Sequence, residues 1–220
     1  MRFSGLNLTT AFLEMLVRLF AIVVGLSILC GCKPSPSTSA AVLVPAPAGE
    51  GSLQKYWQVP AFELTDQEGQ PFNSVKMLGK VWIVDFFYTS CPGPCPALSS
   101  RLSGLHQSFS GENRVVFLSI SSDPEKDTPE VLKRYASKFG ADSRWGFLTG
   151  PVDSVFSLAN QGFKLSLTRS AKPEEPVTHS TRLVLVDARG WVRGFFEGVG
   201  EGSEDAGRRL EDAIRTLLQE

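Results

Sequence analysis

Two continuous apolar runs constrain this chain more than anything else in it. Val81 to Tyr88 is apolar and rich in β-formers, and Arg114 to Ser121 carries Val115, Val116, Phe117, Leu118 and Ile120 without the alternation a half-solvated strand shows. Between them, Ala97 to Phe109 places Leu98, Leu102, Leu105 and Phe109 at helical spacing. Strand, helix and strand, with both strands buried on both faces, make a parallel β-α-β unit. The first run stops at Cys91-Pro92-Gly93-Pro94-Cys95-Pro96, so two cysteines with a three-residue spacer occupy the strand-to-helix turn. Backbone amides converge at a helix start and its dipole favours an anion, which predicts a thiol pKa below the usual value of about 8.5.

The rest of the chain fits around that unit. Phe62-Glu63-Leu64 and Gln70-Pro71-Phe72, bridged by Asp66-Gln67-Glu68-Gly69, read as a short hairpin that caps the core. After the second buried strand comes the polar loop Asp123-Pro124-Glu125-Lys126-Asp127-Thr128, in which Asp127 or Thr128 can cap a helix opened by Pro129 and running to about Phe139. Trp145 to Thr149 reads as a short strand and Pro151 to Asn160 as a helix with Val152, Val155, Phe156 and Ala159 inward. Gly162 to Val177 reads as irregular and charged. Leu183 to Val186 and Trp191 to Phe196 form a hairpin about Asp187-Ala188-Arg189-Gly190, and Gly202 to Glu220 is an amphipathic helix with Ala206, Leu210, Ile214, Leu217 and Leu218 inward. This order resembles an α/β, thioredoxin-like fold, a central mixed sheet flanked by helices, with an additional N-terminal β-hairpin.

That domain spans 56–220. Ahead of it, residues 33–55 are dominated by Pro, Ser, Ala and Thr with little charge and read as a flexible tether. Residues 1–32 read as an export or anchor segment, with Arg2 and Arg18 ahead of the apolar run Leu19 to Cys30. Leu29-Cys30-Gly31-Cys32 resembles a bacterial lipoprotein cleavage box, which would place the lipid on Cys32. Cys30 stands where such boxes usually hold Ala, Ser, Thr or Val, so an uncleaved membrane anchor stays open. Either form puts the domain outside the cytoplasm, in a bacterial cell envelope. The net charge of −1, with both signs spread along the chain, leaves no footprint for nucleic acid. Four cysteines in two local pairs cannot cross-link a disulfide framework.

Cys91 and Cys95 are four apart, so a helical turn between them brings the sulfurs to one side, to pair with each other or to share a soft metal. A thiolate pair leaves a position that imidazole fills well. Of the two histidines, His106 lies mid-helix and reads as a surface residue, whereas His179 directly precedes the last hairpin. In a thioredoxin-like fold the segment entering that hairpin packs beside the cysteine turn, where thioredoxins place a cis-proline. Thr178-His179-Ser180 stands there instead. Asp123 and Asp127 order their loop, or act as second-shell groups from the same sheet edge. Phe86, Phe87 and Tyr88 read as core and site wall.

The cysteine turn, the loop Ser122-Asp123-Pro124-Glu125-Lys126-Asp127-Thr128-Pro129, Phe147-Leu148-Thr149-Gly150, and His179-Ser180-Thr181 ahead of Leu185-Val186-Asp187 together resemble the Sco/SenC family. The resemblance implies a membrane-attached copper-binding protein that helps assemble the binuclear copper site of cytochrome c oxidase. Cys91, Cys95 and His179 would be the copper ligands, with subunit II of the oxidase or another copper-receiving protein as partner. Some members look more like thiol-disulfide reductants or redox sensors, in which Cys91 attacks and Cys95 resolves. This sequence departs from the family pattern at Gly93, where an acidic residue is common, and at Leu98, where methionine is frequent. Peroxide reduction is disfavoured, because the Pro-x-x-x-Thr-x-x-Cys spacing of peroxiredoxins is missing.

Overall fold

The computed structural model describes residues 53–172 and 175–220. The expected export segment, Cys30, Cys32 and all but the last three residues of the expected tether lie outside them. Among the described residues no helix is long and apolar enough to cross a membrane.

The two apolar runs become β3 (Val81–Phe87) and β4 (Val115–Ser121), parallel and in register from Val81↔Val115 to Phe87↔Ser121. Every residue of both strands is buried, as expected for strands covered on both faces. The connecting helix α1 (Cys95–Ser108) starts two residues earlier than the apolar spacing suggests, because Pro94 and Pro96 fit a first turn that needs no proline N–H. The remaining strands are β1 (Glu63–Asp66), β2 (Pro71–Asn73), β5 (Trp145–Thr149), β8 (Arg182–Val186) and β9 (Val192–Glu197), and the seven-stranded order is β2-β1-β5-β4-β3-β8-β9. β5 is parallel to β4, and β8 runs antiparallel to β3. The N-terminal hairpin does not cap the core as expected. It extends the sheet, with Thr65 paired to Thr149.

The pleat sends Val81, Ile83 and Phe87 to one face and Trp82, Val84 and Phe86 to the other. The first face packs with Leu98, Leu102 and Leu105 of α1, Leu132 and Tyr135 of α2 (Pro129–Lys138), and Leu210, Ile214 and Leu217 of α4 (Ser203–Leu217). Each fully buried Leu or Ile contributes about 1.5–3 kcal/mol. The second face is covered by α3 (Val152–Ser157), by the π-helical turn Leu158–Gly162 that continues it, and by Val59 and Met77. Val155 and Ala159 are inward as expected, while Val152 and Phe156 are only half-buried.

Two expectations are corrected. The segment read as irregular is a two-stranded ribbon, β6 (Leu167–Lys172) with β7 (Glu175–His179), with a register shift between Arg169 and Lys172. His106 is not on the surface. It is 4% exposed, packed between the Phe117 and Trp145 rings, with Nε2 2.9 Å from Asp142 Oδ1.

Candidate metal centre

β3 ends at Phe87, and the chain turns through Tyr88, whose carbonyl accepts the Cys91 N–H at 3.3 Å. Cys95 is the first residue of α1. Pro92, Gly93 and Pro94 are exposed over a buried pair, Cys91 at 9% and Cys95 at 0%, and both thiols are free. Cys91 is the more accessible, as its place ahead of the helix suggests.

His179 closes β7, where it pairs with Leu167, and so is the end of a strand rather than a loop residue. Its Nδ1 is 3.0 Å from the Ser180 carbonyl and its Nε2 is 3.4 Å from Cys95 Sγ. A carbonyl only accepts, so Nδ1 carries the proton and the Nε2 lone pair faces the sulfur, whose S–H donates to it. The Tyr88 ring meets the imidazole edge-on at 5.8 Å. Burial holds the His179 pKa below its ordinary value, against the opposing pull of the Ser180 carbonyl, and keeps the ring neutral.

Burial also pushes the Cys95 thiol well up, and the neighbouring Cys91 sulfur adds to the rise, while the Tyr88 backbone lowers it. The dipole expectation is therefore overturned at Cys95: at a helix start inside the core, desolvation of a thiolate outweighs a dipole contribution of about 0.3–1 kcal/mol.

Asp127 is fully buried. Its carboxylate accepts the Thr89 N–H at 3.1 Å, the Thr89 hydroxyl at 2.5 Å and the Ser121 hydroxyl at 2.6 Å. It fastens the cysteine turn to the loop after β4. Thr128, not Asp127, caps α2, its oxygen accepting from Val131 N–H. The Asp123 N–H donates to Ser121 Oγ at 3.1 Å, and its Oδ2 lies 3.4 Å from Lys126 Nζ. These contacts order the loop, and none of them reaches a cysteine or His179.

One residue was missed by sequence reasoning. Asp85 is 1% exposed on the cysteine-bearing face of β3; Ser119 Oγ donates to its Oδ1 at 2.6 Å, and Oδ2 has no hydrogen-bond partner among the described residues. Burial raises its pKa to about 7. The signal was available: a lone carboxylate inside an otherwise apolar buried run.

Two sulfurs and a neutral imidazole with its lone pair presented are a donor set for a soft or borderline metal such as copper. Among the described residues no three His, Cys, Asp or Glu side chains stand together as a preformed cage. A metal held there would replace the hydrogen bond between Cys95 and His179.

The chain is similar to proteins already known. The family model described as SCO1/SenC matches residues 51–215. A SCO1/SenC family lipoprotein from Bacillus anthracis is 31% identical, with a TM-score of 0.65 over 74% of this chain and 95% of that one. BsSco, described with a disulfide switch as a member of the Sco family of cytochrome c oxidase assembly proteins, is 28% identical, with a TM-score of 0.63 over 76% and 99%. ScoI of Bradyrhizobium japonicum, solved with copper bound, is 25% identical, with a TM-score of 0.60 over 71% and 99%. With three-quarters of its length matched by one family model, this chain belongs to the SCO1/SenC family.

Proposed function

We propose that this protein is a membrane-tethered copper metallochaperone of the bacterial envelope. It holds one copper through Cys91, Cys95 and His179 and delivers it toward the binuclear site of cytochrome c oxidase. The observation that carries the reading is the Nε2 lone pair of His179, 3.4 Å from Cys95 Sγ, with Nδ1 already committed to Ser180. A histidine fixed in that tautomer, with its free lone pair toward a thiol, is suited to metal ligation. The copper-bound ScoI supports copper as the ligand, and the lipoprotein from Bacillus anthracis supports a lipid anchor in this family.

The thiols must be reduced, since a Cys91–Cys95 disulfide has no thiolates to offer. Anaerobic copper titration of the reduced protein tests the reading. Wild type retains about one equivalent, Cys91→Ser and Cys95→Ser lose it, and His179→Ala loses Cu(II) more than Cu(I). Variants that keep as much copper as wild type would overturn it.

A second reading is favoured by the pair itself: two adjacent free thiols with one more accessible can reduce a partner's disulfide, and BsSco is described with a disulfide switch. Here Cys91 attacks, Cys95 resolves, and His179→Ala leaves exchange with a model disulfide nearly intact.

A further inference from the structure

The cysteine turn lies at the C-terminal end of β3. At the other end of that strand, where β8 finishes and the Asp187–Gly190 turn packs on the entry to β3 through a Gly79 N–H to Ala188 carbonyl bond of 2.8 Å, the surface is of a different kind. Val75 and Leu78 are each 55% exposed, the large apolar side chains that the described surface leaves out in solvent. Val75, Leu78 and Arg189 line one open depression of about 340 Å³ together with Pro60 and Ala61. Lys76, next to it in the chain, and Arg189 are exposed, and Lys80 is half-exposed. None of these three takes part in the ion pairs found among the described residues.

The chain outside the description joins the domain at this same end. The carbonyls of Leu53 and Gln54 accept from Arg193, Tyr56 N–H donates to Val192, and Val59 N–H donates to Gly190. Fifty-two residues precede this point, and whatever holds them holds the domain by this pole.

We infer that this pole is a docking surface for an anionic lipid bilayer. Val75 and Leu78 enter the headgroup boundary, Lys76, Lys80 and Arg189 meet lipid phosphates, and the cysteine turn faces away from the membrane. The inference rests on the anchored reading above. Neither half suffices alone, since reversible membrane association takes an apolar insertion combined with basic charge or a covalent anchor. A tether ending beside the patch keeps the local lipid concentration high, so a small patch is enough to set orientation. Orientation matters because it presents the exposed Pro92-Gly93-Pro94 edge outward, to a partner whose own domain stands off the same membrane.

The test uses the full chain with vesicles of phosphatidylcholine, with and without phosphatidylglycerol, followed by flotation and amide hydrogen exchange. The expected result is slower exchange over 74–80 and 188–191 only with phosphatidylglycerol, lost in high salt and in the Val75→Asp/Leu78→Asp variant. Each of Lys76→Gln, Lys80→Gln and Arg189→Gln weakens the docked population by about fivefold. These side chains are at the surface, and near-ultraviolet dichroism checks that the variants stay folded. A chain that floats with the vesicles but leaves both segments unprotected overturns the docking surface and leaves the anchor standing. A chain that does not float overturns the anchor and the docking surface with it. Protection that follows protein concentration, with no dependence on phosphatidylglycerol, assigns the patch to a second copy and also overturns the inference.

Discussion

Asp85 and Cys95 are buried on the same face of the sheet, and a charge on the first is one of the causes that raises the pKa of the second. The carboxyl pays for its place in stability. An acid whose pKa is raised on folding, from 3.8 to about 7, binds its proton more tightly in the native state. Its penalty is therefore absent below pH 3.8, grows as pH rises toward 7, and is constant above. The expected cost at pH 8 is on the order of 4 kcal/mol. Asp85→Asn, which keeps the shape and a neutral partner for Ser119, should be more stable than wild type by that order at pH 8 and about equal at pH 4. Urea unfolding of the reduced, metal-free protein at the two pH values measures it, and a variant less stable at pH 8 contradicts the assignment. The thiols make a separate prediction. Because Cys95 is protonated near neutrality and must lose its proton to bind a metal, copper affinity should rise with pH by about tenfold per unit for each proton displaced. Competition titrations at several pH values read that slope.

At the scale of elements, the site depends on how closely the end of β9 approaches α1. A Cβ at Gly198 would overlap both Leu98 Cδ1 and the Thr181 carbonyl oxygen. Leu98 is fully buried and cannot swing out, and the carbonyl is backbone that accepts the Gly198 N–H at 3.2 Å. Gly198→Ala should therefore cost about 1–3 kcal/mol. It should also displace Thr181, two residues beyond His179, and weaken copper retention. Thermal melts with copper titration test both parts, and a variant that matches wild type in each sets the argument aside. The elements that were legible from sequence are those whose burial writes a period: β3 and β4 as unbroken apolar runs, α1 and α4 as helical stripes. The β6–β7 ribbon was not legible, because its two strands pair mainly with each other and the register shifts between Arg169 and Lys172, leaving Leu167 and Val177 as its buried apolar side chains. His106 was misjudged for another reason. It lies four residues after Leu102, on the inward face, but the Asp142 that satisfies it is 36 residues away and leaves no local mark. His179 was placed correctly because topology, not periodicity, brings β7 beside the cysteine turn.

On the scale of the molecule, the two ends of the sheet differ in chemistry, and Arg193 holds the end away from the thiols. Its side chain is 1% exposed; it bonds Asp187 Oδ2 at 2.9 Å, both Glu220 oxygens at 2.8 Å, and the Leu53 and Gln54 carbonyls. One guanidinium thus joins Leu53 and Gln54, the β8–β9 turn and the residues after α4. Five fixed donors suit this convergence, which a lysine could not serve. Arg193→Met leaves the buried Asp187 Oδ2 without its counter-charge, and breaking such a pair costs about 3–5 kcal/mol. Replacing Asp187 by Asn in the same chain should recover part of that loss, since the stranded charge is then gone. The segment 53–58 should exchange its amides faster in the single variant, because the side chain that holds the Leu53 and Gln54 carbonyls at its start is lost. Copper affinity at the far end should be unchanged once the folded fraction is accounted for, as Arg193 touches neither the cysteine turn nor β7. A loss of affinity in fully folded Arg193→Met would mean that the two ends are coupled through the sheet, so that engaging the tether end alters the metal end.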